Sequence, residues 1–477
     1  MIKHFAHSAV GGIGSKIITL ICFIALGRLL SPHDFGIFAI VAIFSDFASI
    51  FVEFGTGAAI VYYKNADHVF HSTALWINVI VGLLFSLLLF ISSELIAAYF
   101  NSSEVIIVAK AISVLFILNG LSVTPIAILQ KKKLFDKISK IEILSTSFGF
   151  LIAIIIAVCG GGVWSLAFNV LCASALRTYL AFKYTNWSPN IILDKKSFFI
   201  IWDYSKFIIF SKTFNYFTKN ADKFIIGKYF GPSPLGAYKY GFTIASMPMQ
   251  FLNTVANRVF FADYAEKIND KAYIKNIHLK SVRLVSFITF PMMIGLSIVS
   301  DVLILALLGD KWNQMALYLS YLSISFLLGT VAILNQPLYL SFGKTKLQFK
   351  VTVFCRFNVL LCVVVGAYFG EIIGLLYGLI IARIINFYPS FYFAGKLVDL
   401  SIMDYLKNFY RILFCSLCMA VVVYFIKSVK LLDFSNIIVS IILVLSGIIF
   451  YSFFSFIFQS NNCREFISIF NSSLNRK

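Results

Sequence analysis

Charged residues are scarce in this sequence. Asp, Glu, Lys and Arg together make up 13% of the 477 residues, whereas soluble domains carry about 25%. Hydrophobic residues make up 60%. A chain with so few charges cannot use water as its main solvent. A soluble fold is therefore excluded, and an integral membrane protein is indicated.

Recognisable sites for metals, disulfides and covalent catalysis are also missing. The eight Cys show no ligand spacing with the six His, and the CxxC formed by Cys415 and Cys418 lies inside an apolar run. Neither a Ser/His/Asp arrangement nor a Walker sequence is present. We therefore expect no cofactor and no enzymatic activity. A transporter would draw on an H⁺ or Na⁺ gradient, the membrane potential or substrate flux.

Apolar stretches of helical length repeat along the whole chain. Crossing the hydrocarbon core takes about 20 helical residues, and fourteen stretches meet this length. They lie at residues 8–30, 36–62, 72–100, 105–129, 140–160, 162–183, 204–230, 236–261, 282–308, 314–341, 350–369, 371–395, 409–427 and 435–459. Two divisions depend on breaks at Gly160 to Gly162 and at Gly370. The sequence predicts an all-α integral membrane protein of about fourteen transmembrane helices.

The positions of Lys and Arg predict the orientation, because these residues concentrate in cytoplasmic loops. The basic clusters at 131–140, 267–283 and 344–356 all follow even-numbered spans. Both termini are therefore expected in the cytoplasm. The same clustering explains the net charge of +19 without a basic domain, so we expect no nucleic-acid partner. No small-residue cleavage site follows the first apolar run, which is expected to remain as span one.

Two linkers repeat at an offset of 200 residues. Gly27 to Phe38 reads GRLLSPHDFGIF, and Gly227 to Tyr238 reads GKYFGPSPLGAY, with three identities and three conservative matches in twelve positions. A weaker match pairs Gly161 to Phe168 with Gly370 to Tyr377. Six spans separate the copies, so the two halves have the same orientation, as in transporters with parallel repeats. This predicts two pseudo-symmetric six-helix lobes with a cleft between them.

The repeat divides the chain into predicted domains. The N-terminal lobe holds spans one to six, and the C-terminal lobe holds spans seven to twelve. The remaining two spans form a terminal helix pair with a cytoplasmic tail. The predicted boundaries are 1–184 for the first lobe, 185–203 for a cytoplasmic linker, 204–396 for the second lobe and 397–477 for the terminal pair.

Polar residues form stripes on four of the predicted spans, although charges inside a bilayer are costly. Span two is mainly acidic and span seven mainly basic, so the stripes predict either a polar cavity or salt bridges between helices. Arg177 and Arg383 lie near the inner ends of spans six and twelve, where they are expected to snorkel to lipid headgroups. The stripes hold Ser45, Asp46, Ser49, Glu53 and Thr56 on span two; Lys212, Asn215, Tyr216, Lys219, Asp222 and Lys223 on span seven; Gln250, Asn253, Asn257 and Arg258 on span eight; and Ser8, Ser15, Lys16 and Thr19 on span one.

The duplicated linkers and the adjoining run from Asp222 to Gly231 resemble the polysaccharide exporter family and are similar to its Wzx-type flippases. The resemblance extends over spans one to twelve, and the last two spans match only as apolar helices. It implies the fold of the multidrug/oligosaccharidyl-lipid/polysaccharide exporter superfamily. The implied cargo is a polyprenyl-pyrophosphate-linked oligosaccharide repeat unit, moved from the inner to the outer leaflet of the bacterial cytoplasmic (inner) membrane. Polysaccharide polymerase and chain-length proteins are expected partners.

That cargo gives the polar stripes expected roles. A diphosphate in a low-dielectric cavity needs cations, and sugar hydroxyls need amide and hydroxyl partners. The acidic residues would couple transport to H⁺ or Na⁺. The diphosphate-binding candidates are Lys16, Lys212, Lys219, Lys223 and Arg258; the sugar-binding candidates are Asn215, Tyr216, Gln250, Asn253 and Asn257; the ion-coupling candidates are Asp46, Glu53 and Asp222.

Two other functions stay open from the sequence. One is a cation-coupled small-molecule exporter of the same superfamily, which would favour acidic over basic residues in the cavity. The other is a membrane polysaccharide polymerase or ligase, which would be expected to carry a sizeable outer loop for its acceptor. The predicted outer loops hold at most about a dozen residues, which argues for transport.

Overall fold

The computed structural model describes residues 18, 19, 21–64, 66–428 and 435–458, but not the side chains at 251, 253–259 and 262. This part of the chain is almost entirely helical and contains no strand. The helices are α1 (21–29), α2 (Pro32–Val52), α3 (Thr56–Tyr62), α4 (His68–Phe100), α5 (Glu104–Ile112), α6 (Val114–Lys131), α7 (Phe135–Val158), α8 (Val163–Thr185), α9 (Lys195–Phe230), α10 (Pro232–Glu266), α11 (Lys271–Leu308), α12 (Asn313–Ala332), α13 (Asn335–Ser341), α14 (Thr345–Gly395), α15 (Ile402–Ser428) and α16 (Asn436–Phe458).

Ten segments of the described residues are long and apolar enough to cross a membrane. One of them, Thr345–Val398, contains α14, which holds two helices joined at Gly370 and Glu371, where the backbone is not helical. The break is therefore present where the sequence predicts it. Helices α9 and α10 are not among the ten segments, because their polar stripes lower their hydropathy. These findings confirm a multi-pass helical membrane protein.

The chain divides into two compact units, residues 1–237 and 238–477. In the first unit, α4, α6 and α8 pack together, α7 lies along α8, and α9 packs against α2, α3 and α4. In the second unit, α11 packs against α12, α15 and α16, and α12 packs against α14. The predicted lobe boundary at 185–203 comes from the repeat and stays a prediction.

The two duplicated linkers lie against each other within the first unit. Pro32 and Pro232 each start a helix, as the fixed φ of proline favours. A Cβ atom on Gly36 would lie 1.8 Å from the carbonyl oxygen of Pro232, and one on Gly236 would lie 2.1 Å from that of Pro32. Any side chain at either glycine would therefore collide with backbone, which explains why both copies carry Gly at this position.

The weaker repeat also has matching backbone geometry at its two turns. Gly162, between α7 and α8, has φ 51° and ψ −129°, and Glu371, at the break in α14, has φ 53° and ψ −140°. These two residues align at the offset of 209 that pairs Gly161 with Gly370. Positive φ is uncommon outside glycine, so the same unusual turn joins both helix pairs.

Candidate functional site

Helices α2 and α9 carry the acidic and basic stripes, and they pack side by side in antiparallel directions. Phe44 of α2 packs edge-on against Phe224 of α9. The Tyr216 hydroxyl donates a hydrogen bond to the carbonyl oxygen of Ile43, the residue before Phe44. The two predicted stripes therefore lie on neighbouring helices of the first unit.

The stripes are joined by an ion pair. Lys212 Nζ lies 2.7 Å from Glu53 Oε2, and the two side chains are 46% and 54% exposed. Glu53 follows the last residue of α2, where Phe54 and Gly55 take positive φ and break the helix before α3. The carbonyl groups at a helix C-terminus attract cations, so the break adds to the attraction between Glu53 and Lys212.

A cavity of about 650 Å³ opens beside this ion pair. Helices α2, α3, α6, α8 and α9 surround it. Its volume lies within the range of small-molecule sites, about 300–1,000 Å³. Its polar and aromatic lining includes Ser49, Glu53, Tyr62, Asn119, Ser122, Gln130, Arg177, Tyr204 and Lys212.

A second cavity, of about 550 Å³, lies between α6, α7 and α8 and shares Asn119 and Arg177 with the first. Glu142 and Thr146 of α7 also line it. The Asn119 amide oxygen accepts a hydrogen bond from the Ser174 hydroxyl at 3.2 Å. The two cavities therefore meet at one polar wall inside the first unit.

Arg177 lies on this shared wall, and not simply at a lipid-facing position as the snorkelling interpretation expects. Its Nε atom is buried and has no hydrogen-bond partner among the described residues. A buried donor without a partner costs about 1–3 kcal/mol, so a polar group or water in the cavity would stabilise it.

The remaining candidates on α2 and α9 occupy varied environments. Asp46 and Lys219 are exposed. The Asn215 amide donates to the Ser211 carbonyl at 2.9 Å within α9. Asp222 is 7% exposed and accepts a hydrogen bond from the backbone N–H of Lys223, whose ammonium donates to Asn220 Oδ1 at 2.7 Å. Their roles in binding or ion coupling stay predictions.

The other candidates belong to α1 and α10. Gln250 lies in the second unit, is exposed, and donates from its amide to the Ser246 hydroxyl at 3.0 Å. Lys16 and the side chains of Asn253, Asn257 and Arg258 lie outside the described residues. The structure therefore groups the candidates of spans two and seven, and leaves those of spans one and eight as predictions.

Sequence reasoning missed the residues that α3, α6 and α8 contribute to the cavities. Asn119, Gln130 and Arg177 do not form a stripe on any one helix. Asn119 and Arg177 are isolated polar residues in apolar runs, and Gln130 lies at the border between an apolar run and the Lys131–Lys133 cluster. The three converge only because their helices pack together. The cost of polar groups inside a bilayer is the one signal in the sequence that marks them.

The cavity combines features suited to a polar ligand. Lys212 and Glu53 offset each other, so Arg177 is the remaining cation on the wall of the larger cavity. The amides and hydroxyls of α2 and α6 can hydrogen-bond to neutral polar groups. No cluster of metal-ligating side chains is present among the described residues. The site can therefore bind and orient a polar molecule.

Comparison with known proteins assigns the chain to a family. Residues 25–317, more than half of the chain, match the family model described as polysaccharide biosynthesis protein. The chain is 27% identical to the teichuronic acid biosynthesis protein TuaB of Bacillus subtilis over 335 residues, covering 70% of this chain and 69% of TuaB. It is 25% identical to the lipopolysaccharide biosynthesis protein WzxC of Escherichia coli over 413 residues, covering 85% and 83%.

The fold also has a solved counterpart. The lipid II flippase MurJ, in an inward closed conformation, superposes with a TM-score of 0.74 at 18% identity, covering 95% of this chain and 99% of MurJ. At this identity the likeness concerns the fold. Together with the family match, it confirms the resemblance seen in the duplicated linkers. The chain belongs to the polysaccharide biosynthesis protein family.

Proposed function

We propose that this protein flips polyprenyl-pyrophosphate-linked oligosaccharide repeat units from the inner to the outer leaflet of the bacterial cytoplasmic membrane. The product would feed assembly of a surface polysaccharide: O-antigen, capsule or exopolysaccharide. The observation that carries the proposal is the family match over residues 25–317, joined to a polar cavity among helices whose fold resembles that of a lipid flippase.

The proposed mechanism is alternating access of two six-helix lobes. Fourteen spans are proposed: the ten apolar segments, the extra helix within Thr345–Val398, the first span, and α9 and α10. At 1.5 Å per residue, the 36 residues of α9 and the 35 of α10 are long enough to cross the hydrocarbon core. An even number of spans puts both termini on the same side of the membrane, and the basic clusters favour the cytoplasmic side.

The proposal also covers the energy source for transport and the proteins that receive the cargo. Without a Walker sequence, H⁺ or Na⁺ coupling through Asp46, Glu53 or Asp222 is proposed to reset the empty transporter. The protein is proposed to act as a transporter and not as an enzyme. It would deliver its cargo to a polysaccharide polymerase and chain-length proteins.

Deletion of the gene tests this function. We expect surface polysaccharide to disappear while lipid-linked repeat units accumulate on the cytoplasmic side, and a plasmid copy of the wild-type gene to reverse both effects. Normal surface polysaccharide in the deletion strain would contradict the proposal. Single repeat units accumulating on the outer leaflet would instead indicate a polymerase.

A further inference from the structure

One wall of the 650 Å³ cavity is aromatic. Tyr62, at the end of α3, and Tyr204, on α9, both line the cavity, and their rings stack with centroids 5.1 Å apart and planes 28° apart. Tyr63 packs edge-on against Tyr62. Tyr62 is still 64% exposed, so its neighbours hold the ring in place and leave much of its surface accessible.

Another part of the cavity lining presents hydrogen-bonding groups. Asn119 and Gln130 lie on α6 and Arg177 lies on α8. Gln130 is exposed, and Arg177 Nε is buried without a hydrogen-bond partner in the described part of the chain. Amide and guanidinium groups together offer both donors and acceptors, so this wall is suited to a ligand with several hydroxyl groups.

These two walls match the two kinds of surface on a sugar ring. The C–H groups on one face of a pyranose pack against the electron-rich face of an aromatic ring, while the hydroxyls at its edge require hydrogen-bond partners. A polyprenyl chain would leave the polar wall unsatisfied, and a diphosphate would gain little from the tyrosines. We propose that Tyr62 and Tyr204, with Asn119, Gln130 and Arg177, form a subsite for the saccharide of the lipid-linked substrate.

The location of the subsite suits the loading of cargo. The cavity lies beside the C-terminal end of α2 and beside α3, which the Lys and Arg distribution places towards the cytoplasm. Lys131, in the predicted cytoplasmic cluster, donates to the Tyr63 carbonyl at 2.8 Å. A flippase collects lipid-linked saccharides on the side of the membrane where they are assembled, so a subsite towards the cytoplasm suits loading. The inference therefore rests on the proposed function.

Tyrosines near a membrane surface also occur as interfacial anchors, and the chain offers a matched control for that role. Tyr388 and Tyr392 on α14 stack with centroids 5.3 Å apart and planes 9° apart. Both are exposed, and neither lines the 650 Å³ cavity. If substitution of any stacked tyrosine pair reduces ligand binding, then substitution of Tyr388 and Tyr392 should reduce it as much as substitution of Tyr62 and Tyr204.

Ligand binding to the full-length protein in nanodiscs, measured by native mass spectrometry, tests the subsite. The two probes are undecaprenyl diphosphate and the same lipid carrying N-acetylglucosamine. We expect the wild type to bind the glycosylated lipid about tenfold more tightly, a difference of about 1.4 kcal/mol. Combined Tyr62→Leu and Tyr204→Leu should abolish that preference and leave binding of the bare lipid unchanged. Gln130 is exposed, so Gln130→Leu should reduce the preference for the glycosylated lipid without affecting folding.

The outcomes separate the subsite from the proposed function. The variant with both Tyr388→Leu and Tyr392→Leu should keep the full preference for the glycosylated lipid over undecaprenyl diphosphate. Two results would overturn the subsite and leave the flippase proposal standing. One is a wild type without any preference for the glycosylated lipid. The other is a preference that is equal in the wild type, the Tyr62/Tyr204 variant and the Gln130 variant. Folded wild-type protein that binds neither lipid would overturn both.

Discussion

Replacing Gly36 with alanine should disrupt the contact between the duplicated linkers. A Cβ atom at Gly36 would lie 1.8 Å from the Pro232 carbonyl oxygen, 2.3 Å from its carbon and 2.8 Å from its Cα. Ordinary contact begins near 3.4 Å, so the start of α10 would have to move by about 1.6 Å. The obstacle is backbone, which cannot rotate away as a flexible side chain can.

The expected cost is at the upper end of that for overpacked cores, about 3 kcal/mol. Heating purified protein in detergent and measuring the fraction that stays monodisperse gives an apparent unfolding temperature. We expect Gly36→Ala to lower it by roughly 3 to 6 °C and to reduce the amount of protein in the membrane.

Gly329→Ala is the matched control. Gly329 lies inside α12, and the nearest atom to its added Cβ would be Met249 Sδ at 3.5 Å, an ordinary contact. Alanine inside a helix is favoured over glycine by about 1 kcal/mol, so this variant should be as stable as the wild type or slightly more. If Gly36→Ala matched Gly329→Ala in apparent unfolding temperature, the packing of the two linkers described here would be wrong.

Three further predictions concern the turns, the basic stripe and the interlobe linker. Glu371→Gly should raise the apparent unfolding temperature by relieving about 1 kcal/mol of positive-φ strain, whereas Gly162→Ala should lower the temperature. Equal shifts, or shifts in the opposite directions, would argue against the same turn at Gly162 and Glu371. Combined Lys219→Gln and Lys223→Gln should cripple surface polysaccharide export at unchanged membrane abundance, and normal export would refute a role for the basic stripe. The Ser197 backbone N–H and hydroxyl hold the pKa of Asp194 below its ordinary value of 3.8, so its stabilising effect should be complete at neutral pH and lost as the pH falls through the lowered pKa. Asp194→Ala should be less stable than the wild type at pH 7, and this difference in stability should narrow in acid. A difference that does not change with pH would show that the carboxylate is not the stabilising form.

The sequence predicts much of the helical layout, because breaks at glycine are local. The turn after Gly161 and the break at Gly370 both lie at expected positions. The break at Phe54 and Gly55 was not predicted, since the apolar run from 36 to 62 continues through it. Phe54 takes φ 45°, a conformation that its side chain does not favour, so packing with other helices must maintain it.

The site could be predicted only in part, for a related reason. Stripes on single helices identified Glu53 and Lys212, but not that they pair at 2.7 Å, because the pairing depends on the register between α2 and α9. Arg177 lies near the end of an apolar run, where snorkelling is the usual interpretation. Its place on a cavity wall depends on α6 and α8 coming together, which no local pattern encodes.

Reconstitution tests the central claim most directly. Purified protein in liposomes, with an undecaprenyl-diphosphate-linked saccharide on one leaflet, should make that saccharide accessible to a glycosidase on the opposite side, faster than in protein-free liposomes. In parallel liposomes without the glycosidase, the saccharide should stay unchanged in length and remain joined to its lipid. A saccharide that stays on its original leaflet, or that is lengthened or released from its lipid without the glycosidase, would contradict the assignment of this protein as a flippase.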